Sequence, residues 1–171
     1  IIAPAIHKTR RQIAELFHDK LQTPYTDEIT ELTQLARRQL RQQFLRADVG
    51  ITGVNFAIAE TGSIVIVTNE GNGRLSSTLP KVHVALMGME KLIPRLSDLP
   101  VILKVLTNSA TGQKISSYVT MMTGPRRAHD LDGPEALHVV IMDNGRSSIL
   151  RSANREALYC LRCGACLNVC P

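Results

Sequence analysis

The feature that most constrains the fold is a series of short apolar runs separated by helical stretches and polar turns. Residues 64–67 form a continuous β-branched run, which is typical of a strand buried on both faces. Residues 82–87 and 137–142 are two further apolar runs of strand length. Because helical stretches alternate with such strands, the sequence predicts an α/β fold with a parallel or mixed sheet flanked by helices.

Two helices are predicted before the first strand. Apolar residues recur at helical spacing over residues 5–21, and Thr26 is placed to cap a second helix that ends near residues 48–50. The elements predicted further along are a hairpin of strands 54–59 and 63–68 around Glu60–Gly62, short helices over 90–96 and 99–107, a strand over 115–122 and a short helix from Asn154 to Leu158.

One domain boundary is predicted, near residue 150. Residues 1–150 are expected to form an α/β domain that includes N-terminal helices over residues 1–48, and residues 151–171 to begin a truncated cluster-binding segment. The 171 residues are enough for one domain with its own core. The chain starts without Met and ends inside a motif, so we expect it to be a piece of a longer protein.

All four cysteines lie among the last twelve residues, at Cys160, Cys163, Cys166 and Cys170, followed by Pro171. Their spacing, C-x2-C-x2-C-x3-C-P, is that of the bacterial ferredoxin run. Three closely spaced thiolates can each bind one iron of a cubane cluster, and the fourth cysteine of such runs ligates a second cluster. The spacing therefore predicts two [4Fe–4S] clusters in the intact protein, with a second cysteine run downstream.

Two other uses of the cysteines compete with this prediction. Disulfides fit poorly, because nothing suggests secretion and four cysteines within eleven positions make awkward bridges. Zinc remains open, since C-x2-C pairs also bind Zn²⁺ tetrahedrally. In this chain alone a cluster that lacks a ligand is expected to be labile, which leaves metal-free, oxidised and zinc-bound cysteines as alternatives.

Two loops that follow strands are candidate ligand sites. The loop of residues 69–74 can present backbone N–H groups. Both this loop and the loop of residues 123–127 contain arginine, which can pair with a carboxylate or phosphate. Ligands of α/β sheets bind beyond the carboxyl ends of strands, so both loops are predicted to border one pocket for a small carboxylate. A plain tight turn is the alternative for the first loop. The ligand-binding candidates are Asn69, Gly71, Gly73, Arg74 and Arg126.

Two loop carboxylates, Glu60 and Glu70, are the candidates for acid–base or nucleophilic catalysis, with a solvated loop acid as the alternative for each. The histidines show no metal-binding spacing such as H-x-x-x-H. His83 and His138 lie in predicted strands and are expected to be packed or hydrogen-bonded, whereas His129 remains a candidate in a loop.

The net charge of +5 comes partly from arginines in the N-terminal third. These lie within predicted helices and have no interleaved aromatic residues for stacking on bases, so we expect no nucleic-acid binding. An acidic protein partner or peripheral contact with anionic lipid head groups stays open. No apolar run approaches the roughly 20 residues that cross a bilayer, and no signal peptide is recognisable, so a cytoplasmic location is expected.

Several stretches taken together resemble one known family. The resemblance extends over roughly residues 25–171 and is to the B-type family of lactate-utilisation iron–sulfur proteins, in which a LUD domain precedes the first ferredoxin-type cluster motif. The stretches that carry it are Gly53–Arg74, Leu79–Leu92, Met122–Pro125 and Leu137–Arg146, and the cysteine run stands where the family has its first cluster motif.

The resemblance implies a fold and a function. The family's main domain is similar in fold to the sugar-phosphate isomerase and coenzyme A transferase superfamily. Its members belong to a multi-subunit system that oxidises L-lactate to pyruvate, with electrons leaving through the clusters towards a quinone or another acceptor. The implied partners are a cysteine-rich subunit and a second subunit that shares the main domain.

Three functions therefore compete. The first is an iron–sulfur electron-transfer subunit of an oxidoreductase complex that oxidises L-lactate. The isolated chain would be inactive. The second is an enzyme of the coenzyme A transferase or isomerase type that uses Glu60 or Glu70, and the third is a non-catalytic scaffold domain of the same complex. The cysteine run favours the first.

Overall fold

The computed structural model describes residues 7–170, apart from the side chain of Asn168. The chain divides into two compact units, Ile1–Arg46 and Ala47–Pro171. The domain boundary expected near residue 150 stays a prediction.

The first helix, α1 (Arg10–Leu21), begins at a capping box. The Thr9 hydroxyl accepts a hydrogen bond from the Gln12 N–H at 3.3 Å, and Gln12 Oε1 accepts one from the Thr9 N–H at 2.9 Å. This reciprocal pair places the helix start later than the predicted residue 5, which lies outside the described residues.

The second helix, α2 (Ile29–Arg46), confirms the predicted one. It begins three residues after Thr26, whose hydroxyl accepts the Glu28 N–H at 3.3 Å just before the first turn. An ion pair in this unit joins the exposed Arg10 to Asp27 at 3.1 Å, and such pairs contribute at most about 1 kcal/mol. No helix within residues 7–170 combines the length and the apolar character needed to cross a membrane.

The second unit alternates strands with helices. In chain order its elements are β1 (Val49–Gly53), β2 (Phe56–Ile58), β3 (Ser63–Thr68), α3 (Asn72–Thr78), β4 (Val82–Gly88), β5 (Leu92–Ile93), α4 (Leu99–Thr111), β6 (Tyr118–Met122), β7 (Ala136–Met142), α5 (Arg146–Leu150) and α6 (Ala165–Val169). Short 3₁₀ turns lie at Met89–Lys91, Leu96–Asp98 and Arg155–Tyr159.

One sheet is parallel, with the strand order β1-β4-β7. His83 in the central strand pairs with Gly50 on one side and with Leu137 on the other. Strands β4 and β7 confirm the apolar runs. Strand β1 was not predicted, because its two glycines and its short length conceal it until it pairs with β4.

The other sheet is mixed, with the order β5-β2-β3-β6. Strands β2 and β3 pair antiparallel through Phe56 and Val65, which confirms the predicted hairpin. The helix predicted over 90–96 is wrong. The chain instead makes a 3₁₀ turn and then pairs β5 in parallel with β2.

Two apolar clusters fill the unit, one on each face of the mixed sheet. Between the two sheets lie Val54, Ala57, Ile64, Ala85 and Met87. On the other face, Phe56, Ile58, Val65, Ile93 and Leu99 pack with the apolar side of α4. Alternate residues of β2 and β3 thus enter different clusters, which confirms both the doubly buried strand and the α/β fold with parallel and mixed sheets flanked by helices.

Helix α3 lies so close to strand β1 that glycine is required there. A Cβ atom on Gly50 would lie 1.8 Å from the backbone oxygen of Ser76 in α3. A Cβ atom on Gly73 would lie 2.7 Å from the Thr68 methyl group. The segment of residues 69–74, predicted as a loop, is helical from Asn72. The close approach to Thr68 of β3 explains Gly73, and a φ of 77° explains Gly71.

Candidate functional site

The four predicted metal ligands all have free thiols, of which three are exposed and that of Cys163 is half-buried. They are Cys160, Cys163, Cys166 and Cys170. The run follows the 3₁₀ turn Arg155–Tyr159, whose predicted start at Asn154 is confirmed, although the Asn154 side chain makes no capping bond.

The backbone between the first cysteines makes two left-handed turns. Arg162 has φ 58° and Gly164 has φ 79°. The Arg162 N–H donates a hydrogen bond to Cys160 Sγ at 3.4 Å. Hydrogen bonds to ligand sulfur are one of the means by which proteins set the potential of iron–sulfur clusters.

The residue types of this donor set and their spacing along the sequence fit an iron–sulfur cluster. Thiolates at ferredoxin spacing are the ligands that such a cluster takes, and one of these sulfur atoms accepts an amide hydrogen bond. Within residues 7–170, no three His, Cys, Asp or Glu side chains lie close enough together to bind one metal ion.

The start of the cysteine run is attached to the core of the second unit, of which it is a part, by packing and by a hydrogen bond. The Leu161 side chain packs against the apolar cluster that contains Phe56 and Ile93. Lys91 Nζ donates to the Leu161 carbonyl oxygen at 3.3 Å. The residue between Cys160 and Arg162 is thus held at both its side chain and its backbone.

A buried carboxylate, Glu90, is the centre of this attachment. Its side chain is 5% exposed and accepts hydrogen bonds from Arg146 Nε and, at 3.1 Å, from an Arg162 guanidinium NH₂. It also lies against Gly88, where a Cβ atom would come within 2.1 Å of Glu90 Oε2. Glu90 therefore joins α5 and the cysteine run to the end of β4.

Three cations lie near this single carboxylate. Burial raises the pKa of Glu90, but the Arg146 hydrogen bond and the charges of Arg146 and Arg162 outweigh it and hold the pKa below its ordinary value. Burial lowers the pKa of Lys91, and the two arginines lower it further, whereas Glu90 and Cys160 act the other way. The start of the cysteine run, around Leu161 and Arg162, therefore has more positive than negative charge beside it.

This cluster stands beyond the carboxyl ends of two neighbouring parallel strands. Glu90 follows β4 by two residues, and Arg146 follows β7 across a short turn. Asp143 holds that turn, since its carboxylate accepts both the N–H and the O–H of Ser147 at 2.7 Å. These bonds lower the pKa of Asp143. Carboxyl ends of parallel strands are the usual place for sites in α/β proteins.

The predicted glycine-rich site has a structural role in this fold. Asn69 donates to Gln113 Oε1 at 2.9 Å and accepts the Ser117 N–H at 3.1 Å, which fixes the approach to β6. Gly71 has φ 77° and precedes α3, with the Tyr118 ring beside it. Asn69, Gly71 and Gly73 as ligand-binding residues stay predictions.

The two candidate arginines pair with acids of one loop. Arg74 contacts Asp132 at 3.4 Å, and Arg126 contacts Glu135 at 3.5 Å, with all four side chains exposed. The loops of residues 69–74 and 123–127 leave the mixed sheet at opposite ends, because β3 and β6 are antiparallel. The first residue of β3, Ser63, which follows the 60–62 turn, contacts Thr123 of the second loop through their hydroxyls at 2.6 Å.

The candidate catalytic acids are also engaged with the backbone. Glu60 accepts the Leu96 N–H at 2.9 Å, and Glu70 accepts the N–H of its neighbour Asn69 at 3.2 Å. Their catalytic roles stay predictions. His129 is exposed in its loop.

Of the strand histidines, His83 is fully buried, and one of its ring nitrogens lies 2.7 Å from the Thr52 hydroxyl, as expected. His138 differs from the expected packing, because it is exposed on β7, an edge strand of the parallel sheet.

Sequence reasoning does not single out Glu90, Lys91 or Arg146. Glu90 and Lys91 fall where the sequence predicts a helix, and Arg146 falls after the apolar run of residues 137–142, where no element is predicted. The available signal is their position just beyond two apolar strands, where α/β proteins bring polar groups together.

Comparison with known proteins agrees with the resemblance noted from the sequence. The family model of the LUD domain matches residues 1–142. A protein named lactate utilization protein B from Bacillus subtilis (strain 168) is 53% identical over 171 residues, and its counterpart from Shouchella clausii (strain KSM-K16) is 54% identical over the same length. These matches cover 100% of this chain but 36% of each relative, so the chain spans about a third of the relatives' length.

One solved structure is also similar, that of a DUF162 family protein from Deinococcus radiodurans. The similarity has a TM-score of 0.43 at 22% sequence identity and covers 58% of this chain and 56% of that one. The match to the family model, over residues 1–142, includes helices α1 to α4 and every strand of the two sheets. The chain therefore belongs to the LUD domain family.

Proposed function

We propose that the protein containing this chain is an iron–sulfur electron-transfer component in the oxidation of L-lactate to pyruvate. Cys160, Cys163 and Cys166 would bind one [4Fe–4S] cluster, and Cys170 would serve a neighbouring one. The observation that carries the proposal is the cysteine run itself, with ferredoxin spacing and free thiols, attached to a LUD domain. The name of the relatives supports lactate as the substrate of the system.

The chemistry requires an acceptor for two electrons. Conversion of lactate to pyruvate breaks one C–H and one O–H bond and releases two electrons and two protons. Two clusters, each carrying one electron, would take both electrons and pass them to a further acceptor. The exposed thiols at Cys166 and Cys170 leave this part of the run accessible to another subunit of the complex.

A small carboxylate could be bound at the arginines, as part of the same proposal. Arg74 and Arg126 are exposed, and their acidic partners are at 3.4 Å and 3.5 Å, so these pairs are weak and an incoming carboxylate can compete for them. Lactate and pyruvate should then raise the melting temperature of the chain, and Arg74→Gln should reduce that shift. An equal shift in the variant would remove Arg74 from the proposal.

The decisive experiment measures metal content. The chain is incubated without oxygen with Fe²⁺ and sulfide, desalted, and assayed for iron, acid-labile sulfide and zinc. We expect iron and sulfide in equal amounts, with about four of each per chain as the upper limit because this cluster lacks its fourth ligand here, and Cys163→Ser should lose most of both. Ala165→Ser, which changes the same segment without removing a thiol, is the matched control.

Two results would contradict the proposal. Zinc bound by four thiolates in protein isolated from cells, without iron uptake on reconstitution, would indicate a structural metal site. Equal iron in the wild type and Cys163→Ser would indicate adventitious binding. In the longer protein, about eight irons are expected if a second cysteine run follows, and anaerobic L-lactate with the partner subunits should bleach the visible absorption.

A further inference from the structure

We infer that Glu90 is the positioning residue of the cysteine run, holding Arg162 so that the Arg162 amide stays on the sulfur of Cys160. The inference rests on the proposed function as far as the cluster is concerned, but the positioning itself is a property of the chain. It is supported by one continuous path: a buried carboxylate, a guanidinium, a backbone turn and a hydrogen bond to a predicted ligand sulfur.

The first step is the burial of Glu90. A carboxylate that is 5% exposed must be paired, because an unpaired buried charge is strongly unfavourable. Its two partners come from different segments, Arg146 from α5 and Arg162 from the cysteine run. Gly88 leaves room for the carboxylate, since Glu90 Oε2 lies 2.1 Å from the place that a Cβ atom would take there. Held by its two arginine partners, the carboxylate presents an acceptor to Arg162.

The second step concerns the backbone of Arg162. Its φ of 58° lies in the left-handed region, which is unfavourable for a residue with a side chain unless the surroundings hold it there. Its guanidinium is held by Glu90 at 3.1 Å, and the carbonyl of the preceding Leu161 is held by Lys91 at 3.3 Å. These two contacts restrain the Arg162 side chain and the peptide between Leu161 and Arg162, which carries the Arg162 N–H.

The third step is the contact with sulfur. The restrained turn directs the Arg162 N–H at Cys160 Sγ, at 3.4 Å. An amide that donates to a ligand sulfur withdraws charge from it and makes a bound cluster easier to reduce. If Arg162 is released, this contact weakens, and the reduction potential of a cluster held by Cys160 should become more negative.

At Glu90, loss of the charge and loss of the contact with Arg162 should shift the reduction potential of a bound cluster in opposite directions. Substitutions that change one without the other therefore test the inference. Glu90→Asp keeps the negative charge but shortens the side chain, so it disrupts the contact with Arg162 without removing the charge. Glu90→Gln keeps the shape but removes the charge, which by itself makes a nearby cluster easier to reduce. Arg162→Gln removes the contact from the other side, and because Arg162 is exposed, this variant should retain the fold.

The first measurement uses the metal-free, reduced 171-residue chain and needs no activity. Hydrogen exchange of the amides of residues 160–164 should be about tenfold or more faster in Arg162→Gln and Glu90→Asp than in the wild type. Arg155→Gln is the matched control, an exposed arginine for which residues 7–170 show no side-chain hydrogen bond. Global melting of Arg162→Gln should match the wild type. Unchanged exchange in Arg162→Gln would overturn the inference.

The second measurement separates this inference from the proposed function. In reconstituted chain, redox titration should give a more negative potential for Glu90→Asp than for the wild type. Arg162→Gln should shift the potential in the same direction, but it also removes a positive charge, so Glu90→Asp decides the question. A wild-type potential in Glu90→Asp, together with a shift in Glu90→Gln, would show that Glu90 acts only as a local charge and would overturn positioning. If neither this chain nor the longer protein takes up a cluster, the proposed function fails, and the exchange experiment still decides whether Glu90 positions the run.

Discussion

The carboxylate of Glu90 accepts a hydrogen bond from the guanidinium of Arg162 at 3.1 Å, across 72 positions of sequence. The pair joins the carboxyl end of a central parallel strand to a residue between two predicted cluster ligands. A domain of α/β type and a cysteine run thus share one ion-pair group around a buried carboxylate. This group and the core around it determine how the chain should respond to substitution and to pH.

Removal of the Glu90 carboxylate should destabilise the second unit. In Glu90→Ala, Arg146, which is 14% exposed, keeps its charge without its principal partner, so we expect the free energy of unfolding to fall by about 3 kcal/mol. Urea unfolding measures the loss. Glu156→Ala, at an exposed carboxylate of the same unit, should remain within about 0.5 kcal/mol of the wild type. Equal losses in the two variants would show that Glu90 is not a structural anchor.

Two glycines of strand β1 should differ sharply in their tolerance of alanine. Gly50→Ala places a methyl group 1.8 Å from a backbone oxygen that cannot move without shifting α3, so a loss of about 3 kcal/mol is expected. Gly53→Ala, three residues along the same strand, meets nothing within 4 Å and should be nearly neutral. Thermal and urea unfolding of both variants test the close approach of α3. Similar stabilities would contradict it.

Buried His83 should make stability depend on pH. Burial lowers its pKa from the ordinary 6.5, so below about pH 6.5 the unfolded chain binds a proton that the folded chain does not. As far as His83 is concerned, the free energy of unfolding is therefore highest above that pH. It declines as the pH falls, by at most about 1.4 kcal/mol per pH unit.

Unfolding free energies measured from about pH 7.5 to about pH 5 should show this slope in the wild type and a smaller one in His83→Gln. His138→Gln is the control, because it removes an imidazole at an exposed position of the neighbouring strand. A wild-type slope in His83→Gln would assign the pH dependence to other groups.

The two loop carboxylates proposed as catalysts should separate by stability. Glu60→Ala removes the acceptor of the Leu96 N–H, a bond between segments 36 positions apart, and should cost about 1 kcal/mol. Glu70→Ala removes only a bond to the adjacent amide and should cost less than about 0.5 kcal/mol. Denaturant unfolding distinguishes them, and equal costs would mean that the Glu60 contact contributes nothing.

Replacement of all four cysteines by serine should leave the metal-free chain folded. Three of the thiols are exposed, so the free energy of unfolding should change by less than about 1 kcal/mol in chelator-treated, reduced protein. The same variant should take up no iron or sulfide on reconstitution. A large loss of stability would show that the thiols, through packing or a bound metal, help hold the second unit together.

The elements that the sequence predicts well are those with a strong local signal. Strands β3, β4 and β7 are continuous apolar runs of strand length, and α1, α2 and α4 have apolar residues at helical spacing. The missed elements are short. Strands β1 and β5 exist because they pair with β4 and β2, and α3 forms where two glycines allow close packing.

The candidate site divides in the same way. The cysteine run is a local pattern whose spacing alone indicates its chemistry, and it needs no knowledge of the fold. Glu90, Lys91 and Arg146 carry no such pattern. They become significant only when parallel pairing of β4 with β7 brings the two strand ends together and Leu161 packs against the core.

Side chains a few positions apart are enough to predict the α/β class, the doubly buried hairpin strand and the cysteine ligand set, because each is encoded locally. The separation of the parallel sheet from the mixed one, and the pairing of β1 with β4, follow from tertiary folding. So does the contact between the carboxylate of Glu90 and an arginine of the cysteine run. These relationships depend on backbone pairing and charge burial between distant segments, and such long-range contacts leave no periodic trace in the chain.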